Sequence, residues 1–128
     1  MRKLHTFESE LYPMTLSLID DAKLFHKAIG KAIATGPKIM RTFPPPGAAL
    51  TIALSTIHYG LVVVVAIGDF SHYDLQRSIN ILVHEAVHVW QFTADHVRIK
   101  HPDNETEAYH VQCYAGYLVK EFLRRNYK

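Results

Sequence analysis

Seven consecutive apolar residues, LVVVVAI at 61–67, constrain this chain more than any other stretch. β-Branched side chains are stiff at χ1 and favour extended backbone, and a run without polar interruption reads as a buried strand. The run is far too short to cross a bilayer as a helix. A second stretch, LTIALSTI at 50–57, alternates apolar with small or hydroxyl side chains and reads as a half-exposed strand. Between them His58, Tyr59 and Gly60 offer a hairpin connection, with the glycine available for a positive φ. The two strands are the expected centre of a small twisted sheet, with 50–57 at its open edge.

Helical periodicity surrounds that sheet. Leu18, Ile19, Ala22, Phe25, Ile29 and Ile33 recur every three or four residues and predict an N-terminal helix that stops near Gly36 and Pro37. Residues 39–43 are a candidate short strand, followed by the rigid turn Pro44-Pro45-Pro46-Gly47, which cannot lie inside a helix or a central strand. A second helix, capped by Ser71 or Asp74, carries an apolar stripe through Ile79, Leu82, Val83, Ala86, Val87, Trp90 and Phe92. KHPDN at 100–104 ends it, and Asp103 or Asn104 caps a third helix with apolar positions at Ala108, Val111, Ala115, Leu118, Val119 and Phe122. The expected fold is α+β in one domain over 1–128: helix, sheet, then two helices.

Composition narrows the function. With 128 residues and a formal net charge of +2, the chain has the size of one domain and no strong charge bias. Lys and Arg are scattered, and the one cluster, Arg124, Arg125 and Lys128, suits a helix C-terminus, so nucleic acid is not an expected partner. The single cysteine, Cys113, excludes an internal disulfide framework and reads as a small buried apolar residue. MRKLHTFESELYPM lacks the apolar run of a signal peptide. A cytoplasmic protein without membrane association is the expectation.

The chemistry concentrates in His84-Glu85-Ala86-Val87-His88. Residues four apart share one face of an α-helix, so both imidazoles can address a single ion, Zn²⁺ by this motif. Glu85 is rotated by about 100° from His84, which puts its carboxylate beside the ion, where it can act as general base toward water. A catalytic zinc needs a third protein ligand. NETEAY at 104–109 offers Glu105, separated from His88 by sixteen residues, and Glu107, separated from it by eighteen. Glu107 lies inside the helix with its backbone fixed, whereas the helix dipole alone explains a carboxylate at Glu105 in the first turn. His110 or Tyr114, at helical spacing from Glu107, could donate to a developing oxyanion. Gln91 and Asp95 continue the His84–His88 stripe and could orient a ligand imidazole. Trp90 reads as core, and Tyr109 as packing.

HEAVH followed by a helix-borne ETEAY resembles the gluzincins, a group that includes thermolysin and the HExxH-x18-E aminopeptidases; HEAVHVWQ with EAY is also similar to small compact zincin-type proteins of bacteriophages and bacteria. The likeness spans 79–117. The metzincin pattern, with a histidine six residues after His88, is excluded by Ala94. The resemblance implies a zinc-dependent metallopeptidase with His84, His88 and Glu107 on the metal and Glu85 as general base; His110 is the further candidate catalytic residue, by its helical spacing alone. It implies a peptide or protein substrate that adds as a strand to an exposed sheet edge. The alternative it implies is a phage-type structural or assembly protein, virion-associated, in which a zincin fold carries a structural or inactive zinc site.

Overall fold

Among the described residues seven elements follow one another: β1 (Thr6–Glu8), β2 (Met14–Ile19), α1 (Ala22–Ile33), β3 (Ala49–Thr56), β4 (Gly60–Ile67), α2 (Leu75–His96) and α3 (Asn104–Asn126). The structure, a computed structural model, describes residues 5–9, 12–33, 42–56 and 60–127. The strands form one sheet in the order β1-β2-β4-β3. β2 and β4 pair in parallel, and the two outer pairs are antiparallel. Three helices on a four-stranded sheet make this a mixed fold, α+β at the coarse level.

Side-chain parity along β4 explains why its sequence has no polar position. Leu61, Val63, Val65 and Ile67 pack into a core with Leu82, Ala86, Val89 and Trp90 of α2 and Tyr114, Leu118 and Phe122 of α3. Val64 and Ala66 face the other way, toward Phe25 and Ile29 of α1, with Ile19 and Ile52. Both faces of the strand are therefore covered, and every other residue goes to a different core. Its neighbour β3 is an edge strand, as its alternation suggests, and Gly60 begins β4 at φ 68°, the positive value the hairpin needs. His58 and Tyr59 lie outside the described residues, as do the expected helix stop at Gly36-Pro37 and most of the expected strand at 39–43; Thr42 and Phe43 are not in a strand.

The N-terminal segment corrects the sequence reading. Leu18 and Ile19 are not the start of a helix: they end β2, and α1 begins at Ala22, with the Asp21 carboxylate accepting from Leu24 N at 3.0 Å. MTLSLI alternates like a strand, and two aspartates separate it from the helix; the helical spacing that joined the segments was accidental. Neither β1 nor β2 was expected. At the other end of the sheet the proline turn closes tightly on β4: a Cβ on Gly68 would overlap the Pro45 carbonyl oxygen, so only glycine fits.

α2 is capped by Asp74, which accepts from Arg77 N at 2.8 Å, and α3 by Asp103, which accepts from Thr106 N at 2.8 Å. Near its end α3 is braced by buried Glu121, which accepts from Arg124 at 2.8 Å and lies 3.3 Å from Arg125. Burial alone would push the Glu121 carboxyl up, but the Arg124 hydrogen bond and the two guanidinium charges hold it below its ordinary value of 4.5. The folded state then binds fewer protons than the unfolded chain, so this stabilisation is present above pH 4.5 and disappears as pH falls through the lowered folded-state value. A melting-temperature profile against pH should fall on the acid side, and Glu121→Gln should flatten that part of the slope. An unchanged slope would mean that the ion pair is not linked to folding.

Candidate metal centre

α2 presents two different faces at the motif. Leu82, Glu85, Ala86, Val89, Trp90 and Thr93 are buried, whereas His84 is exposed and His88 half-buried. The histidine pair therefore sits on the outer side of the helix, with Glu85 turned about 100° toward the sheet. The two Nε2 atoms stand 3.2 Å apart, with the rings at 79°. Two nitrogens each about 2.0–2.1 Å from a tetrahedral zinc are about 3.3–3.4 Å apart, so the observed separation is close to one edge of such a site. An N–H···N hydrogen bond would suit the same distance. The partner of His88 at its other nitrogen bears on the choice. Nδ1 lies 2.8 Å from Gln91 Oε1, and with that oxygen accepting, Nδ1 carries the proton and Nε2 keeps its lone pair. This is the tautomer a metal requires, oriented as ligand imidazoles usually are.

Glu85 is only 6% exposed, and Thr51 Oγ1 on the edge strand β3 donates to its Oε2 at 2.8 Å. A buried carboxylate needs such a partner, and this one crosses 34 residues of sequence. The sequence carries no signal that singles out Thr51 from the other hydroxyl residues of its strand. Thr51→Val keeps the shape of the side chain but removes the donor. It should cost about 1–3 kcal/mol in urea denaturation, with Thr51→Ser recovering most of that loss. A neutral Thr51→Val would show that water replaces the hydroxyl at no cost.

Glu107 is exposed at the start of α3, and its Oε2 accepts from Trp90 Nε1 at 3.1 Å. Trp90 is thus core, as expected, but its indole N–H also tethers the carboxylate. Among the described residues no three His, Cys, Asp or Glu side chains gather closely enough to hold one ion. The structure brings His84 and His88 together and leaves Glu107 outside their group; Glu105 is exposed in the first turn of α3.

His110 is placed differently from the expected oxyanion donor. It is 3% exposed, packed at 4.9 Å against both Trp90 and Tyr12, with Nδ1 2.7 Å from the Thr106 carbonyl oxygen. In that bond Nδ1 donates, and among the described residues the buried Nε2 has no hydrogen-bond partner. Tyr114 is also buried, and burial pushes its hydroxyl pKa up, partly opposed by Thr93. Tyr109, expected to pack, is 54% exposed, and Cys113 is half-buried. Among the described residues no helix is long and apolar enough to cross a membrane.

Comparison with known protein families, with curated proteins and with solved structures finds no match to this chain.

Proposed function

We propose that the chain is a zinc-dependent metallopeptidase, with His84, His88 and Glu107 holding the ion and Glu85 acting as general base. The observation that carries this reading is the pair of Nε2 atoms 3.2 Å apart, flanked by a buried carboxylate. When bound, zinc would polarise the peptide carbonyl and lower the proton affinity of water. Glu85 takes a proton from the attacking water, and the Thr51 hydroxyl fixes its carboxylate during that transfer. Gln91 holds the His88 ring in its ligating tautomer. Glu107 would be the third residue to hold the ion, with the Trp90 hydrogen bond to Oε2 orienting its carboxylate. β3 is a sheet edge and carries Thr51, so a substrate backbone added there runs alongside the base.

A second reading is favoured by one observation, the absence of a gathered third ligand among the described residues. It makes the chain a structural or assembly component of phage type with an inert site. Zinc content separates the ligands. His84→Ala, His88→Ala and Glu107→Ala should each lower zinc in dialysed protein well below stoichiometric, by elemental mass spectrometry, while Glu105→Ala leaves it unchanged. Zinc lost on Glu105→Ala but kept on Glu107→Ala would move the third ligand to Glu105.

A further inference from the structure

A groove of about 820 Å³ runs between α2 and α3, bordered by Val83, Val87, Ile99 and Val111. Val83 and Val87 are 40% and 38% exposed, which for valines on a helix beside a candidate reaction centre marks uncovered apolar wall rather than core. Gln91 lines the same groove and bonds His88, so one hydrogen bond links the groove wall to the histidine pair. Two carboxylates, Asp95 and Glu107, line it, and no Lys or Arg among the described residues does. Glu107 accepts a hydrogen bond from Trp90, whereas Asp95 lies exposed in the last turn of α2, where the negative end of the helix dipole adds to its charge. The positive end of α3 on the same side is answered by the Asp103 cap and by Glu105. From Val83 to Asp95 the wall extends twelve residues along α2, about 18 Å at 1.5 Å per residue. That is the span of about five residues of extended peptide.

We propose that this groove receives an extended segment of the peptide substrate, with bulky apolar side chains against Val83, Val87 and Val111 and a Lys or Arg at the Asp95 end. The proposal rests on the peptidase reading for the identity of the occupant. The apolar wall supplies contact area, and the exposed Asp95 carboxylate selects the cation, so a segment both apolar and basic is favoured over one that is apolar and acidic.

The test is a calorimetric titration of the full chain carrying Glu85→Gln, to suppress turnover, with the capped peptide Ser-Leu-Phe-Ala-Lys-Ser. Trp90, the single tryptophan and itself in the groove, gives a second readout by fluorescence. Saturable binding is expected, weakened about fivefold when the peptide lysine is replaced by glutamate. Asp95→Asn should abolish that preference. Val87→Asp, at an exposed position that leaves the core untouched, should weaken binding at least about tenfold. Equal affinity for the lysine and glutamate peptides, or affinity unmoved by Val87→Asp, overturns the proposal. So does sedimentation showing a dimer that Val87→Asp dissociates while peptides fail to bind, because a second copy would then fill the groove. Binding of this kind without any cleavage by the wild type keeps the groove and removes the peptidase reading. Cleavage indifferent to Val87→Asp does the reverse.

Discussion

Replacing Glu85 by Gln should lower zinc-dependent cleavage of unstructured protein substrates by about 10²–10⁴-fold while the protein folds and keeps its metal. The amide is nearly isosteric and retains an oxygen to accept from Thr51, whose hydroxyl now binds the carboxylate at 2.8 Å. What it loses is the capacity to take a proton. Because Glu85 points toward β3 and the histidines point outward, the proposed base and ligand roles separate by mutation. Circular dichroism and zinc content of the variant are the controls. Cleavage that persists undiminished belongs to another site or to a contaminant. A variant that folds but loses zinc would make Glu85 a ligand and favour the inert reading, as would a wild type that binds zinc and cleaves nothing in a broad peptide library.

The parts of this site that sequence reveals are the local ones. His84 and His88 meet because four residues make about one helical turn, and Gln91 reaches His88 from three residues away. Thr51 and Trp90 act across tertiary contacts, to Glu85 and Glu107, and no spacing rule points to them. The distance between Glu107 and the histidines depends on how α3 lies on α2, which a count of eighteen intervening residues does not determine. Hydrophobicity misplaced part of the buried face of α2 for a related reason. Val83, Val87 and Phe92 are exposed, while Ser78, Glu85 and Thr93 are buried. Each of those polar residues has its own partner: Asp74 O for Ser78, Thr51 for Glu85 and Val89 O for Thr93. A satisfied polar group can occupy a core face, and an apolar one can wall a groove; the stripe records neither distinction. His110 shows the same limit, a polar residue with a candidate catalytic spacing that the fold uses inside an aromatic cluster.

The largest expected loss of stability comes from the opposite side of the sheet. Among its described side chains, α1 buries Phe25 at 0% and Ile29 at 8% exposure against Ile19, Ile52, Val64 and Ala66. Phe43 adds an edge contact to Phe25, with ring centroids 5.6 Å apart and planes at 74°. Phe25→Ala should cost about 3–5 kcal/mol, the transfer term plus the cavity left under the helix. Against a total stability of about 5–15 kcal/mol for a domain, that loss moves the urea midpoint far. An unchanged m-value would mean that α1 stays docked and the whole fold is weakened; a reduced one would mean that α1 detaches before the rest unfolds. Phe92→Ala is the control, because that ring is 40% exposed on α2 and its loss should stay within about 0.5 kcal/mol. Comparable costs at the two positions would contradict the layering of α1 against the sheet. At urea concentrations where Phe25→Ala is still folded, it should bind zinc as the wild type does, because α2 and its histidines pack on the other face.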